Sequence, residues 1–414
     1  GYWSRGLGDV YKRQIEIQAT ERGAQSRRGA VVLTFDSVNT AFLGPYGNTW
    51  LATPGWNQLA ASSLLMEQCL TPNTQAGEAF QNLWGGTNGH TTLAEQLCER
   101  SVTSRLISDD EKVLQIARET GFSSVETMAV PPATQAVDDL EQTTLFQQID
   151  TALHRISSAD HSATVNWIHL QGMMGPWDAP TGMRDTLFDE EIGDPPTWIL
   201  PSPITNQDPL DSDDLLRWQV SYGAQIQVID FCLQATQNWL EAIPSSIRPL
   251  LIVSAPRGCN LGAHGSCLDD ATLWTDTAQV PLFVVDGEHT RSLRSQGLAS
   301  WLGIGPTLID YVTEPLYADS RSLLHRIKQP GMTCRDRCLL RSQHEVGIRT
   351  EDWFLKLRKS SEPNLFVKPD DRNDINEISQ RLGSITEQLR LALTELRDSK
   401  TESASTGIPG RLKD

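Results

Sequence analysis

Residues 31–60 read VVLTFDSVNTAFLGPYGNTWLATPGWNQLA, and the order of these residues decides the fold. Val31 to Phe35 are apolar or β-branched without alternation, the pattern of a strand covered on both faces. Asp36 follows directly, and an acidic residue at the C-terminal end of a strand stands where open α/β sheets place their ligands. Gly44, Pro45 and Gly47 then turn the chain into a helix that runs toward Leu59-Ala60.

Working outward, Leu93–Glu99 reads as a short helix and Arg105–Ser108 as a strand ending at Asp109-Asp110. Leu145–Ile156 reads as a helix, and Val165–Leu170 as a strand that aims His169 into the core. Asp213–Ile243 carries the clearest helical period, with Tyr222, Ile226, Ile229, Leu233 and Leu240 on one face and Pro244 as the stop. Strands at Leu250–Ser254 and Val280–Val285 flank a loop over 255–278. This alternation predicts an α/β fold, a mostly parallel sheet sandwiched by helices, over residues 29–325. The Pro-rich, acidic stretch Gly175–Asp211 is long enough to be functional or disordered.

Residues 330–398 read as a small C-terminal α+β subdomain, with strands at Leu339–Ser342 and Trp353–Leu357. Ile375, Ile378, Leu382, Ile385, Leu389 and Leu396 define an amphipathic helix, opened by an Asp374-x-x-Glu377 cap. That helix either docks on its own chain or supports self-association with another copy. The Ser/Thr-rich tail 399–414 is expected to be disordered.

Composition narrows the function classes. The 414 residues hold 35 Lys and Arg against 52 Asp and Glu, a formal charge of −17 that repels nucleic acid and sulfated polysaccharide at long range. No apolar run approaches the roughly 20 residues of a membrane span. Seven Cys, an odd number scattered along the chain, imply no disulfide framework. Cys259, Cys267, Cys334 and Cys338 lack zinc-knuckle spacing and read as buried thiols. There is no His-x-x-x-His pair, nucleophile elbow, P-loop or dinucleotide fingerprint. Asp9–Gln14 reads as one frame of a transposon end used in sequencing-library preparation, so residues 1–14 are set aside as an artefact. The natural N-terminus is then expected to be missing, which leaves the compartment open, with a lean toward the cytoplasm.

The opening stretch resembles that of the sulfatase family, in the alkaline-phosphatase-like superfamily. There a strand leads into Ile-Asp-Thr-Leu-Arg, a Leu-Gly-x-Tyr-Gly loop and Thr-Pro-Asn before a helix. Here those elements stand as Phe35-Asp36-Ser37-Val38-Asn39, Leu43-Gly44-Pro45-Tyr46-Gly47 and Thr53-Pro54-Gly55. Gly175-Pro176-Trp177-Asp178-Ala179-Pro180, Leu261–Gly265, Val280–Val284 and Asn364–Asp371 resemble later segments of the family, in its order. The resemblance covers roughly residues 29–398 and implies a sulfuric ester hydrolase. Its expected machinery is a Cys-x-Pro-x-Arg nucleophile oxidised to formylglycine, a calcium ion, and a ring of His, Lys and Arg.

The residues that would carry this chemistry depart from the pattern. The nucleophile position falls at Gln75 or Ala76, and neither Cys-x-Pro-x-Arg nor Ser-x-Pro-x-Arg occurs in the chain. The Asp-His metal pair of Ser-Asp-His-Gly-x-x-x-Gly-x-His-Gly falls on Pro256-Arg257. Proline cannot ligate, and guanidinium is a permanent cation without an acceptor. The family Lys falls near Asp269, its His at Met174 and its Arg at Asn39. Asp36 is left as a vestigial metal ligand, too little for calcium, which takes about 6–8 oxygens. His264 and Arg257 remain as candidate catalytic residues, and Thr74 is either a hydroxyl nucleophile or a loop cap. Two readings follow. One is a pseudosulfatase with no cofactor, calcium entering only if the metal site survives. The other is a working sulfate or phosphate ester hydrolase in which Arg257 and His264 hold a tetrahedral anion without metal. A small anionic ligand is a candidate partner.

Overall fold

A computed structural model of the protein describes residues 29–398 and 407–410, apart from 87–90, 158–163, 189–191, 205–210, 269, 287–291, 313–320, 330–334 and 360. The N-terminal segment read as an artefact lies outside the described residues. In chain order the strands are β1 (Ala30–Phe35), β2 (Leu64–Met66), β3 (Cys69–Leu70), β4 (Thr103–Ser108), β5 (Ser124–Thr127), β6 (Thr164–Leu170), β7 (Leu250–Ser254) and β8 (Gln279–Val280). They continue with β9 (Leu282–Val285), β10 (Leu293–Ser295), β11 (Ala299–Ser300), β12 (Arg337–Arg341), β13 (Glu345–Thr350), β14 (Trp353–Arg358) and β15 (Asn364–Val367).

Eight strands form the main sheet, in the order β10-β2-β9-β7-β1-β6-β4-β5. β1 lies inside it, parallel to both β6 and β7, and all six of its residues are buried. This is why its sequence shows no alternation: neither face meets water. β9 alone breaks the parallel run, pairing antiparallel with β2 and β7. The sequence reading expected one strand over Val280–Val285. Pro281, which has no N–H for a ladder, divides it. β8 joins β3 and β11 in a separate three-stranded sheet, and β9 joins the main one.

Helices cover the sheet in two groups that pack among themselves. Pro54–Ala61, Thr144–Ser157 and Thr181–Leu187 contact the long helix Ser212–Ala242, and Ala76–Trp84 contacts Glu111–Glu119 and Ile304–Val312. Two helix starts are held by carboxylates far away in sequence. Asp230, on the long helix, accepts the backbone N–H groups of Gly55 and Trp56 at 2.9 Å each. Asp178 accepts the N–H and the hydroxyl of Thr144 at 2.7 Å each. These bonds satisfy N–H groups that a helix start leaves unpaired.

β12 to β15 form an antiparallel sheet, with β13 absent from the sequence reading. The helix Gly383–Asp398 lays Ile385, Leu389, Ala392, Leu393 and Leu396 against Ile348, Trp353, Leu355 and Leu365 of that sheet. Its apolar face is therefore covered by its own chain. The helix begins at Gly383 and not near Ile375, because the expected cap residues are engaged elsewhere. Asp374 sits in the left-handed region at φ 54° and accepts the N–H and hydroxyl of Thr275 at 2.6 and 2.9 Å. Glu377 takes the N–H groups of Leu365 and Ser379. Of the tail 399–414, the described residues are Gly407–Gly410. There the Pro409 carbonyl accepts the Trp353 indole N–H at 3.0 Å, and Ile408 packs on the same cluster. Among the described residues no helix is long and apolar enough to cross a membrane.

Removing the long-range cap tests this packing. Asp230→Ala is expected to lower stability by about 1–2 kcal/mol in urea unfolding, with a smaller loss for Asp230→Asn, which keeps one acceptor oxygen.

Candidate functional site

Because β1 and β7 run parallel and adjacent, Asp36 and the 255–278 loop leave the sheet on the same edge. Ser37, next to Asp36, adopts a left-handed conformation at φ 60°, uncommon for a residue with a side chain. The Tyr222 hydroxyl holds it there, donating to the Ser37 carbonyl at 2.9 Å while accepting the Asn39 N–H at 2.8 Å. Asn39 in turn donates its side-chain amide to the Cys259 carbonyl at 2.8 Å. On the other side, Met173 donates to the Asp36 carbonyl at 3.1 Å, and a Cβ on Gly172 (φ 57°) would lie 2.9 Å from the Asp36 nitrogen. Only glycine lets that loop close on Asp36.

Arg257 fills the space in front of Asp36. Its Nε lies 2.8 Å from one Asp36 carboxylate oxygen and its Nη2 lies 3.0 Å from the other, a bidentate pair. Nη1 donates to Asp270 at 2.7 Å and reaches the Thr74 carbonyl at 3.4 Å. The Arg257 and Asp36 side chains are 9% and 4% exposed, so this is a buried pair, whereas Asp270, at 40%, reaches the surface. Burial alone would lower the guanidinium's pKa, but Asp36 and Asp270 more than offset it and hold the proton above the ordinary range. Gly258 follows, where a Cβ would collide with the Asp276 carbonyl.

Thr74 spends its hydroxyl on the Asp270 carbonyl at 2.6 Å, the loop-capping role. Gln75 precedes the helix Ala76–Trp84, and Ala76 is its first residue; neither lines the cleft. Ser37, Thr74, Arg257, Gly258, Cys259, Leu268, Asp270 and Thr277 do line it. Burial pushes up both the Cys259 thiol and the Tyr222 phenol, so neither is a ready nucleophile at neutral pH. His169 points into the core, as read from its strand, with Nδ1 3.1 Å from the Thr34 hydroxyl. Burial lowers its pKa against the pull of Asp110, Asp36 and Asp109.

His264 stands apart from this cleft. Its ring stacks on Trp274 at 3.5 Å and 8° between planes. The Lys356 ammonium lies 2.9 Å from the Trp274 ring centre, too close to share the same face with the imidazole. The indole is thus sandwiched between the two. Burial drives Lys356 down to about 8, opposed by Glu345 and Asp374. Glu345 accepts the Leu273 N–H at 2.6 Å, and Ser342 donates to the Ala271 carbonyl at 2.9 Å. Arg341 exchanges backbone bonds with Pro72 and Thr74. The C-terminal sheet thereby pins both loops that wall the cleft.

A calcium ion does not fit the residues present. Both Asp36 oxygens face Arg257, and among the described residues no group of three or more His, Cys, Asp or Glu could hold a metal. Sequence reading placed an acid opposite the family Lys at Asp269, which lies outside the described residues. The ion-paired residue is its neighbour Asp270.

Solved structures share this architecture. A protein solved with its substrate D-glucosamine-2-N,6-O-disulfate superposes with a TM-score of 0.70 at 13% identity, over 90% of this chain and 98% of its own. The fold is that of the sulfatases. A 2-O GAG sulfatase superposes with a TM-score of 0.70 at 11% identity, over 91% of this chain and 93% of its own. The phosphonate monoester hydrolase of Agrobacterium radiobacter, also at 0.70, is 13% identical over 91% and 96%. No protein-family model and no curated protein matches the sequence. Identities this low carry the sulfatase fold and leave the chemistry to the residues themselves.

Two measurements probe the site. Arg257→Met strands a buried carboxylate and should cost about 3–5 kcal/mol, while Asp36→Leu/Arg257→Met should cost much less than the sum of the single changes. Additive costs in urea unfolding would show the pair to be uncoupled. The second concerns Asp276, whose Oδ1 is buried without a hydrogen-bond partner. Burial, then Asp374, raises it to about 8. Between the ordinary carboxyl range and pH 8 the folded chain keeps a proton that the unfolded chain has lost, so this residue's contribution falls as pH rises. Asp276→Asn should therefore gain in Tm relative to the parent from pH 5 to pH 8.

Proposed function

We propose that this protein is a pseudosulfatase: a sulfatase fold that has given up ester hydrolysis and acts through binding. The observation that carries the reading is the bidentate Arg257–Asp36 pair, extended to Asp270. A sulfatase needs a cation whose open positions polarise the ester oxygens. Arg257 supplies the positive charge with its donors turned onto protein acceptors, so it neutralises Asp36 and leaves nothing to polarise a substrate. The absence of a nucleophile at Gln75 or Ala76, and the use of Thr74 as a cap, point the same way.

The working-hydrolase reading needs Arg257 and His264 on one anion. An anion at Arg257 would have to displace Asp270, and His264 is held on Trp274 toward the C-terminal sheet. The test uses the whole protein with p-nitrophenyl sulfate, phenyl phosphonate and D-glucosamine-2-N,6-O-disulfate, each with and without calcium. No turnover above buffer and no calcium binding by calorimetry are expected. Turnover that disappears in Asp36→Asn would overturn the reading.

A further inference from the structure

The long helix Ser212–Ala242 and the Pro-rich segment before it carry apolar side chains to the surface. Trp198 is 37% exposed, Leu200 64% and Leu216 43%. Between Trp198 and Leu200, the buried Ile199 accepts the Trp177 N–H through its carbonyl at 2.6 Å, so the outward residues ride on an anchored backbone. Trp198 also packs on two buried indoles, 5.8 Å from Trp177 and 6.2 Å from Trp218. Arg184, itself buried, holds the Pro196 carbonyl. Pro195, Pro196, Pro201 and Pro203 stiffen the segment further. A rigid, partly exposed tryptophan with an exposed leucine two residues on is the anatomy of an interface anchor, because little side-chain entropy is left to lose.

The charge around it is one-sided. Among the described residues of 181–217, five Asp stand against two Arg. Asp185, Asp194, Asp211, Asp213 and Asp214 are exposed. Of the two cations, Arg184 is buried on Pro196 and Arg217 donates to the Ile192 carbonyl at 3.0 Å. A second copy would bring the same acidic rim and another −17 charge, and nucleic acid or an anionic membrane would be repelled. We propose that this surface docks a basic polypeptide segment, with an Arg or Lys side chain over Trp198 and an apolar residue against Leu200. Cation–π contact suits the indole face, and the carboxylate rim supplies steering. The proposal gives the binding role suggested above a partner, but it rests on surface residues and not on the state of the cleft.

The test is fluorescence anisotropy of the whole protein with a labelled short peptide alternating Arg and Leu, beside its Glu-for-Arg counterpart. Binding of the Arg peptide alone is expected. Trp198→Ala should weaken it about tenfold or more, as for an interface anchor. Trp50→Ala, which removes an exposed tryptophan outside the acidic segment, should leave it unchanged. Asp213→Asn/Asp214→Asn should weaken it several-fold and flatten its salt dependence; circular dichroism checks that each variant is folded. Equal affinity in the parent and Trp198→Ala would mean unspecific attraction to an acidic surface and would overturn the proposal. So would binding of phosphatidylserine vesicles or a neutral oligosaccharide in place of the peptide, or a dimer in sedimentation that Trp198→Ala breaks. Hydrolysis, or its absence, in the cleft leaves these outcomes unaffected.

Discussion

The buried Arg257–Asp36 pair is the constraint around which the upper edge of the molecule is organised. Asp36 ends an interior strand, 3% exposed, and an ionised carboxylate there requires an opposite charge or hydrogen bonds. A metal ion is one solution. A tethered guanidinium is another, and it brings geometry with it, since two parallel N–H donors match two oxygens. Arg257 then draws in Asp270, and Asp270 fixes Thr74 through its carbonyl. The guanidinium in the sheet-edge loop thus has consequences on both walls of the cleft.

The residues around the pair hold it in place from several sides. Tyr222 holds the strained Ser37, Gly172 allows the β6 loop to close on Asp36, and the C-terminal sheet clamps both walls through Arg341, Ser342 and Glu345. A buried ion pair is not by itself a large source of stability, because desolvating each ion costs several kcal/mol. Its clearer effect is on specificity of structure: breaking it leaves a charge with nowhere to go.

His264 shows how little a short motif says about where a side chain goes. Leu261-Gly262-x-His264-Gly265 is intact in sequence, yet the imidazole stacks on Trp274 opposite Lys356. A histidine in a loop has no periodicity to say where it points. The acidic Pro-rich segment is similar: its length marked it as functional or disordered, and its described part is anchored by Ile199 and Arg184.

The sequence alone determined the α/β class, the interior position of β1, the long helix and its stop at Pro244, and the resemblance to the sulfatases. Each of these follows from local pattern: unbroken apolar runs, helical period, proline chemistry, and ordered short motifs. The resemblance also led to the expectation that Pro256-Arg257 stands where that family's metal ligands belong. Tertiary structure decided what Arg257 does, that Asp270 completes the triad, that Asp230 and Asp178 cap distant helices, and that Asp374 serves Thr275 instead of a helix start. Those outcomes depend on residues separated by up to 221 positions along the chain meeting in space. Pairing over such spans is set by how the sheet and its loops pack, and no local pattern encodes it.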